Sequence, residues 1–213
     1  MNYRLWLLLL LALPGWALAA SCTVLIVGDS LSSGYGLAQG QGWVDLLDAR
    51  LKKSALPQKT SQWRVINASI TGDTTQNGLQ RLAPALDRHR PQGVLIELGG
   101  NDALRGTPPA AIKQNLVAMI RQAKAAGAWV ALLEAPVLPN YGKPYADAVA
   151  RIYVDVAREE KITRVPCFVC DVGVKDGMMQ ADGIHPNAKA QPKMLDAVWP
   201  HIKPKLRCPA NTQ

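Results

Sequence analysis

Two short motifs of this sequence hold the side chains of a serine hydrolase. The first is GDSLS at residues 28–32, which places Ser30 directly after an apolar run, and the second is DGIHP at residues 182–186. A serine hydroxyl is a weak nucleophile until a base removes its proton, and an imidazole oriented by a carboxylate is such a base. We therefore predict that Ser30 is the nucleophile, His185 the base and Asp182 the acid that orients the base.

Each motif alone has a plainer interpretation. GDSLS also fits a polar turn after a strand, although the sequence has neither a Walker nor a G-x-G-x-x-G phosphate-binding pattern. DGIHP also fits an Asx-turn that precedes a helix. The two motifs together favour catalysis. Pro186 keeps His185 in an extended conformation, and Gly183 permits the turn that returns the carboxylate to the ring.

Two further motifs contain hydrogen-bond donors that suit a developing oxyanion. Gly72, in ITGD at residues 70–73, has a backbone N–H that no side chain shields, and Asn101, in GGND at residues 99–102, carries an amide directly after a strand. Either motif alone is an ordinary turn. Because both follow strands expected to end at the same sheet edge as Ser30, we predict that they form an oxyanion hole with Ser30 N–H.

Apolar runs of strand length alternate with amphipathic helical stretches along the chain. We predict strands at residues 23–27, 63–68, 94–98, 129–133 and 162–169, and helices at residues 43–53, 78–89, 108–126, 145–160 and from 192 onward. Residues 32–34 and 135–144 are expected to be loops. This alternation predicts a parallel sheet with helices on both faces, which binds its ligands beyond the carboxyl ends of the strands.

The four motifs together resemble those of the SGNH (GDSL) hydrolase superfamily. They occur in that family's order and cover essentially the whole chain after residue 19. The resemblance implies an α/β fold, a three-layer α/β/α sandwich around a five-stranded parallel sheet of flavodoxin-like type, with no metal or cofactor. It also implies a triad of Ser30, Asp182 and His185, and an oxyanion hole of Ser30, Gly72 and Asn101.

Longer stretches are similar to one subgroup of that family, the periplasmic acyl-CoA thioesterases, lysophospholipases and arylesterases of Gram-negative bacteria. These stretches are LGGNDALRG at residues 98–106, PNYG at 139–142 and MQADGIHP at 179–186. The similarity implies hydrolysis of small-molecule acyl thioesters and carboxylic esters through an acyl-serine. We add Asp29, Asp73 and Tyr141 as candidate substrate-binding residues, and residues 75–81 and 139–145 as candidate walls of an acyl groove.

Two other functions fit the same cleft. A carbohydrate O-acetyl esterase would use the same catalytic residues, and a catalytically silent binding module would use the cleft without reacting. Polysaccharide sites usually have aromatic linings, and here only Tyr35, Tyr141 and Tyr145 are placed for one. The complete triad argues against a silent module.

The N-terminal residues have the pattern of a secretory signal. Arg4 precedes an apolar run at residues 5–13, which is followed by Pro-Gly and by ALA at residues 17–19. We predict a signal peptide over residues 1–19 and a single hydrolase domain over 20–213, exported to the periplasm or secreted. The alternatives are a retained anchor, although the run is shorter than the ~20 residues that span a bilayer, and lipidation at Cys22.

The charge of the chain limits its possible partners. The formal net charge is +8, but the basic residues are scattered and no nucleic-acid motif occurs, so we expect a basic monomer without nucleic-acid partners or stable membrane insertion.

The four cysteines allow three pairings. Cys167 and Cys170 fit a redox or zinc site poorly, because they end a predicted strand without a helix start. Cys22 begins the first strand and Cys208 follows the last helix, so a bridge between them is our hypothesis.

Overall fold

A five-stranded parallel sheet forms the centre of the protein. The computed structural model describes residues 20–54, 61–137, 140–173 and 175–208, so the predicted signal peptide lies outside the described residues. The strands are β1 Ala20–Gly28, β2 Ser61–Asn67, β3 Gly93–Glu97, β4 Trp129–Leu133 and β5 Thr163–Val165. Their spatial order is β2-β1-β3-β4-β5, with every pair parallel. This is the flavodoxin-like order that the family resemblance implies.

Helices connect the strands and cover both faces of the sheet. They are α1 Ser30–Ser33, α2 Trp43–Ser54, α3 Thr75–His89, α4 Gly100–Leu104, α5 Pro109–Ala125, α6 Lys143–Glu159, α7 Cys170–Gly173 and α8 Gln191–Ile202. A 3₁₀ turn, Lys203–Lys205, follows α8. Within the described ranges, none of these helices has the length and apolarity needed to cross a membrane.

Two apolar cores lie on opposite sides of the sheet. Successive side chains of a strand point to opposite faces. Leu25 and Val27 of β1 accordingly pack with apolar residues of α3, α5 and α6, whereas Val24 and Ile26 pack with those of α2 and α8. All four side chains are fully buried. Residues 24–27 of β1 are therefore all apolar, because both faces of the strand are covered.

Three local predictions were wrong. The strand predicted over residues 162–169 ends at Val165, since Pro166 has no N–H to donate to the ladder. Residues 32–34, expected to be a loop, belong partly to α1, which begins at Ser30 because the Asp29 side chain caps it. The GGND motif, expected to be a turn, begins α4. The chain therefore enters a helix directly after β1 and again shortly after β3.

All four cysteines are joined in disulfides. Cys22 pairs with Cys208 across 186 residues, and Cys167 pairs with Cys170 in the connection between β5 and α8. The structure thus contains the bridge hypothesised from the sequence. It also corrects the description of the second pair, because Cys170 is the first residue of α7. Neither sulfur of that pair is a free thiolate that could bind zinc.

Candidate active site

Ser30 lies at the carboxyl end of β1, where the strand turns into α1. The Asp29 carboxylate accepts a hydrogen bond from Leu31 N–H at 3.0 Å and so caps the short helix. The Asp29 carbonyl accepts from Ser33 N–H at 2.9 Å. These bonds fix the backbone on both sides of Ser30, whose side chain is partly exposed at the top of the sheet.

The turn that carries His185, residues 178–187, closes on itself through hydrogen bonds; we call it the base turn. Met179 and Pro186 form an antiparallel bridge, and Gly183 has a φ of +68°, a left-handed conformation that suits glycine. The Asp182 Oδ1 accepts from the backbone N–H groups of Ile184 at 2.9 Å and of His185 at 3.0 Å. These bonds hold the pKa of Asp182 at about 2, below its ordinary value.

The His185 ring lies between Asp182 and the serine. Its Nδ1 is 2.6 Å from Asp182 Oδ2, and its Nε2 is 2.8 Å from Ser30 Oγ. Because Asp182 is ionised and can only accept, Nδ1 must carry the proton, which leaves Nε2 of the neutral ring as the acceptor. The ring is therefore in the tautomer that can receive the Ser30 proton. Tyr35 lies against the same ring, with 4.6 Å between the centroids.

A buried glutamine at the start of α8 ties the base turn to the start of α2. Gln191 Oε1 accepts from Trp43 N–H at 3.0 Å, and its Nε2 donates to the Pro186 carbonyl at 3.2 Å. Gln180 Nε2 donates to the Tyr35 carbonyl at 2.9 Å. The position of His185 is thus set by the start of α2 and by the loop after α1 as well as by the turn itself.

The candidate oxyanion donors meet at the ends of the neighbouring strands, in a group of residues that we call the oxyanion corner: Asp29, Gly72, Asp73, Glu97 and Asn101. The Asn101 Nδ2 donates to Asp29 Oδ2 at 2.9 Å and to the Asp73 carbonyl at 3.0 Å. Gly72, which precedes Asp73, has a φ of +82°. The structure therefore brings Gly72 and Asn101 together beside the residue that precedes the serine.

Arg81 of α3 braces this corner. Its Nε donates to Asp73 Oδ2 at 2.6 Å, its Nη2 to the Gly28 carbonyl at 3.2 Å and its Nη1 to the Ala68 carbonyl. Arg105 Nη2 donates to the Gly72 carbonyl at 3.0 Å. The planar guanidinium thus joins the end of β1 to the loop after β2 that carries Gly72.

The carboxylate of Asp29 is held inside the protein. It is only 3% exposed, and burial raises its pKa to about 6, while hydrogen bonds from Leu31, Glu97 and Asn101 act in the opposite direction. Glu97, the last residue of β3, was not among the residues predicted from the sequence. Its signal is weak, because it is one acidic residue at the end of the apolar run VLIE.

A cavity of about 430 Å³ opens beside Ser30 and His185. Its lining is mainly apolar and includes Leu31, Leu104, Pro136, Val137, Val169 and Ile184. Cys170, Gly173 and Met179 complete the wall on the side of the base turn. Asn101 lines the cavity as well, so the candidate nucleophile, base and oxyanion amide all face one apolar space.

Two of the three candidate substrate-binding residues lie outside the lining of this cavity. Of the three candidates, only Asp29 lines this cavity, and its carboxylate is already bonded within the protein. Asp73 is ion-paired with Arg81, and Tyr141 is 54% exposed with its ring against Tyr145. Neither lies among the described residues of the cavity wall.

The described residues of the predicted groove walls, 75–81 and 139–145, are not part of the lining of this cavity. The first stretch forms the start of α3, and residues 140–145 do not line the cavity. Pro139 lies outside the described residues. The cavity wall comes instead from Pro136 and Val137, directly after β4, and from the α7 region, because these segments follow strands whose carboxyl ends share the edge with Ser30.

Comparison with known proteins gives consistent matches. The profile of the GDSL-like Lipase/Acylhydrolase family matches residues 26–191, which include Ser30, Asp182 and His185. The chain is 50% identical to Esterase TesA of Pseudomonas aeruginosa over 188 residues, 88% of this chain and 91% of the relative. It is 42% identical to Thioesterase 1/protease 1/lysophospholipase L1 of Escherichia coli strain K12, over 92% of this chain and 90% of the relative. A crystal structure of TesA superposes with a TM-score of 0.81, covering 86% of this chain and 99% of that chain at 50% identity.

Proposed function

Because this chain belongs to the GDSL-like lipase/acylhydrolase family and is an esterase, we propose that it hydrolyses acyl esters and thioesters through an acyl-serine formed on Ser30. The observation that carries this proposal is the arrangement of Ser30 Oγ, His185 and Asp182, joined at 2.8 and 2.6 Å. Acyl-CoA, lysophospholipids and aryl esters are the substrate classes that we propose, in line with the names of its relatives and with the resemblance described above.

The first half of the reaction acylates the serine. Ser30 Oγ attacks the substrate carbonyl carbon while its proton passes to His185 Nε2, and Asp182 stabilises the imidazolium that forms. The carbonyl oxygen becomes an oxyanion that Ser30 N–H, Gly72 N–H and the Asn101 amide receive. The imidazolium then protonates the leaving alcohol or thiol, and the bond from carbon to that group breaks.

The second half repeats these steps with water. His185 takes a proton from a water molecule that attacks the acyl carbon, the same donors hold the oxyanion, and the imidazolium returns the proton to Ser30 Oγ. Both Asn101 N–H groups are already bonded, so one must be exchanged for the oxyanion. The bond to the neutral Asp73 carbonyl is the one we expect to yield, because hydrogen bonds to an ionised acceptor such as Asp29 are stronger.

The apolar cavity supports an acyl chain as the part of the substrate that is buried. Side chains such as Leu104, Val137 and Ile184 offer hydrophobic contact next to Ser30. Each methylene buried there is worth about 0.8 kcal/mol, or up to about a fourfold gain in kcat/KM. This lining favours esters with longer acyl chains over the acetyl esters of sugars that an O-acetyl esterase hydrolyses.

We further propose that the chain is exported after removal of residues 1–19. The charged, apolar and small-residue pattern of that segment supports export. Two disulfides support it as well, because such bonds persist in oxidising compartments. Mass spectrometry of the protein isolated from cells tests this. We expect an N-terminus at Ala20, whereas a lipid on Cys22 would show that the chain is a lipoprotein and is not cleaved after residue 19.

The decisive experiment compares the protein with Ser30→Ala on p-nitrophenyl acetate, butyrate, octanoate and palmitate and on palmitoyl-CoA. We expect rates to rise from acetate to octanoate, turnover of the thioester, and loss of all activity in Ser30→Ala. Ser33→Ala is the matched control, because this hydroxyl lies in the same helix but faces Thr71 at 2.9 Å. It should retain activity and labelling by a fluorophosphonate.

Other outcomes separate the alternatives. Activity confined to acetate would favour an O-acetyl esterase. A protein that neither turns over these substrates nor reacts with the fluorophosphonate would be a silent module. Retained turnover in Ser30→Ala would rule out the nucleophile.

A further inference from the structure

Glu97 is a fully buried acid that the mechanism above does not use. It ends β3, and none of its surface is exposed. Its Oε2 accepts hydrogen bonds from Ser32 Oγ at 2.8 Å and from Asp29 N–H at 3.3 Å. A Cβ on Gly28 would lie only 2.8 Å from the same oxygen, so a glycine is needed where β1 passes it. The fold makes room for this side chain, which lies directly behind the backbone that carries Ser30.

A second carboxyl group lies against the first. Glu97 Oε2 is 3.3 Å from Asp29 N, and each of the two buried carboxyl groups acts on the pKa of the other. Two ionised carboxylates cannot share a buried site, so one of them must keep a proton. Burial, followed by the charge of Asp29, raises the pKa of Glu97 well above its ordinary value. In addition, Glu97 Oε1 is buried without a donor among the described residues, as suits a protonated acid better than a carboxylate.

Glu97, whose pKa is raised further, is the member of the pair that keeps a proton. Asp29, the less perturbed of the two, is the ionised partner at neutral pH. Its Oδ2 accepts from the Asn101 amide at 2.9 Å. Hydrogen bonds to the backbone and to the side chain of Asp29 thus connect Glu97, inside the sheet, with the Asn101 amide that lines the cavity.

We propose that Glu97 is a positioning residue that acts on the reaction through Asp29 and Asn101. By accepting from Asp29 N–H, it holds Asp29 where the carboxylate orients the Asn101 amide. An oxyanion donor lowers the barrier only when it is held in place before the charge develops. This inference rests on the proposed ester hydrolysis.

Several other titratable groups surround the pair. From α6, Tyr153 is buried and donates to the Leu98 carbonyl at 2.9 Å, and from α4, Asp102 adds negative charge. His185 acts on Asp29 through its charge, and Arg81 of α3 reaches the Gly28 carbonyl. Loss of the Glu97 proton would put a second negative charge beside Asp29. We therefore expect kcat to fall on the alkaline side as Glu97 ionises.

Two substitutions separate the hydrogen bonds of Glu97 from its charge. Glu97→Gln keeps an oxygen that accepts from Ser32 Oγ and from Asp29 N–H, but it cannot ionise. We expect its kcat to stay within about threefold of wild type at neutral pH, with activity that persists at least about one pH unit further into the alkaline range. Glu97→Leu removes both bonds, and its kcat should fall about 10- to 100-fold, less than the loss expected for the donor itself, while KM changes little.

A double-mutant cycle with Asn101→Ala tests the route of the effect. Asn101→Ala should cost about 10²- to 10³-fold in kcat. In that background Glu97→Leu should cost less than about threefold further, since the donor that it positions is gone. An equal loss in both backgrounds would show that Glu97 acts only on folding or on another group, and would overturn the proposal. A Glu97→Gln variant as weak as Glu97→Leu would overturn it too.

Matched controls keep the test interpretable. Glu134→Gln changes an acid just beyond the neighbouring strand that pairs with Arg164 at 2.7 Å, and its alkaline profile should follow wild type. If Glu97→Leu fails to fold, the dependence of kcat on pH in Glu97→Gln decides. An alkaline fall in kcat at the same pH as in wild type would overturn the proposal. Ser30→Ala distinguishes a failure of the proposed function from a failure of this inference. Retained activity in Ser30→Ala would refute the proposed function. An inactive Ser30→Ala together with additive effects of Glu97→Leu and Asn101→Ala would refute only the role of Glu97.

Discussion

The base turn and the oxyanion corner build their parts of the site in opposite ways. In the base turn, Asp182 bonds to a residue three positions away, and the carboxylate is exposed. In the oxyanion corner, Asn101 bonds to Asp29 across 72 residues, and Glu97 bonds to Ser32 across 65. The first arrangement is local and open to solvent, whereas the second depends on three strands and is buried.

The two regions also shift the pKa of an aspartate in opposite directions. Asp182 accepts backbone and ring N–H bonds that favour its charged form, so its pKa falls to about 2. Asp29 accepts comparable bonds, yet burial outweighs them and its pKa rises to about 6. The lesson is that solvent access, rather than the number of donors, decides the sign at these two positions.

The largest expected effect lies in the base turn. Asp182→Asn replaces one acceptor oxygen by an amide donor, which repels Nδ1–H and favours the tautomer whose Nε2 carries the proton. That ring cannot accept from Ser30, and kcat should fall about 10³- to 10⁴-fold with an unchanged fold. Stopped-flow or steady-state kinetics on p-nitrophenyl butyrate measure this. Asp176→Asn, an exposed acid of the neighbouring loop, is the control and should remain fully active.

A smaller effect is expected when the brace of the oxyanion corner is cut. Arg81→Met removes the bonds to Asp73, Ala68 and Gly28, so the loop that carries Gly72 loses its fixed position. A displacement of about 1 Å can cost about 10²-fold, and we expect a fall in kcat of about 10- to 100-fold with a smaller change in KM. Arg88→Met, on the exposed side of the same helix, provides the comparison. Wild-type kcat in Arg81→Met would show that the corner holds itself without this residue.

The smallest effect is a difference in how stability depends on pH. Because the folded-state pKa of Asp182 is lowered, its contribution to the free energy of unfolding is present above its unfolded pKa of about 3.9 and is lost as the pH falls towards about 2. Glu97 has the opposite sign: its contribution is complete below its unfolded pKa of about 4.3 and is lost as the pH rises through the raised folded value.

Urea denaturation over a pH series measures both contributions. Asp182→Asn should lessen only the acid-side loss of stability, and Glu97→Gln only the loss that sets in as the pH rises. If Glu97→Gln loses stability with rising pH as steeply as wild type, Glu97 is not the group that titrates. The comparison between the two regions would then rest on geometry alone.

The sequence predicted the local parts of the site and missed the distant ones for a physical reason. Ser30, Asp182 and His185 can be recognised from short contiguous motifs. A single turn brings Asp182 and His185 together without contacts from the rest of the fold. Glu97 has no such signal, since its partners Asp29 and Ser32 become neighbours only when β1 pairs with β3 in register.

The same distinction holds for the fold. The alternation of apolar strands with amphipathic helices predicted the sheet, and β4 was placed residue for residue over Trp129–Leu133. The start of α1 was missed because its cap is a side-chain hydrogen bond from Asp29 rather than a periodic pattern. The cavity lining could not be predicted from the sequence, because residues such as Pro136 and Val169 become neighbours only at the edge of the assembled sheet.

The bond between Cys22 and Cys208 changes what a protease can do to this molecule. It joins the first strand to the segment after the last helix, so residues 22–208 form a covalently closed ring. A single cut of the backbone anywhere between these cysteines opens the ring but releases no fragment. The nicked chain keeps its mass, and its two pieces separate only after reduction. A second cut is therefore needed before any part of the domain between the two cysteines can be released.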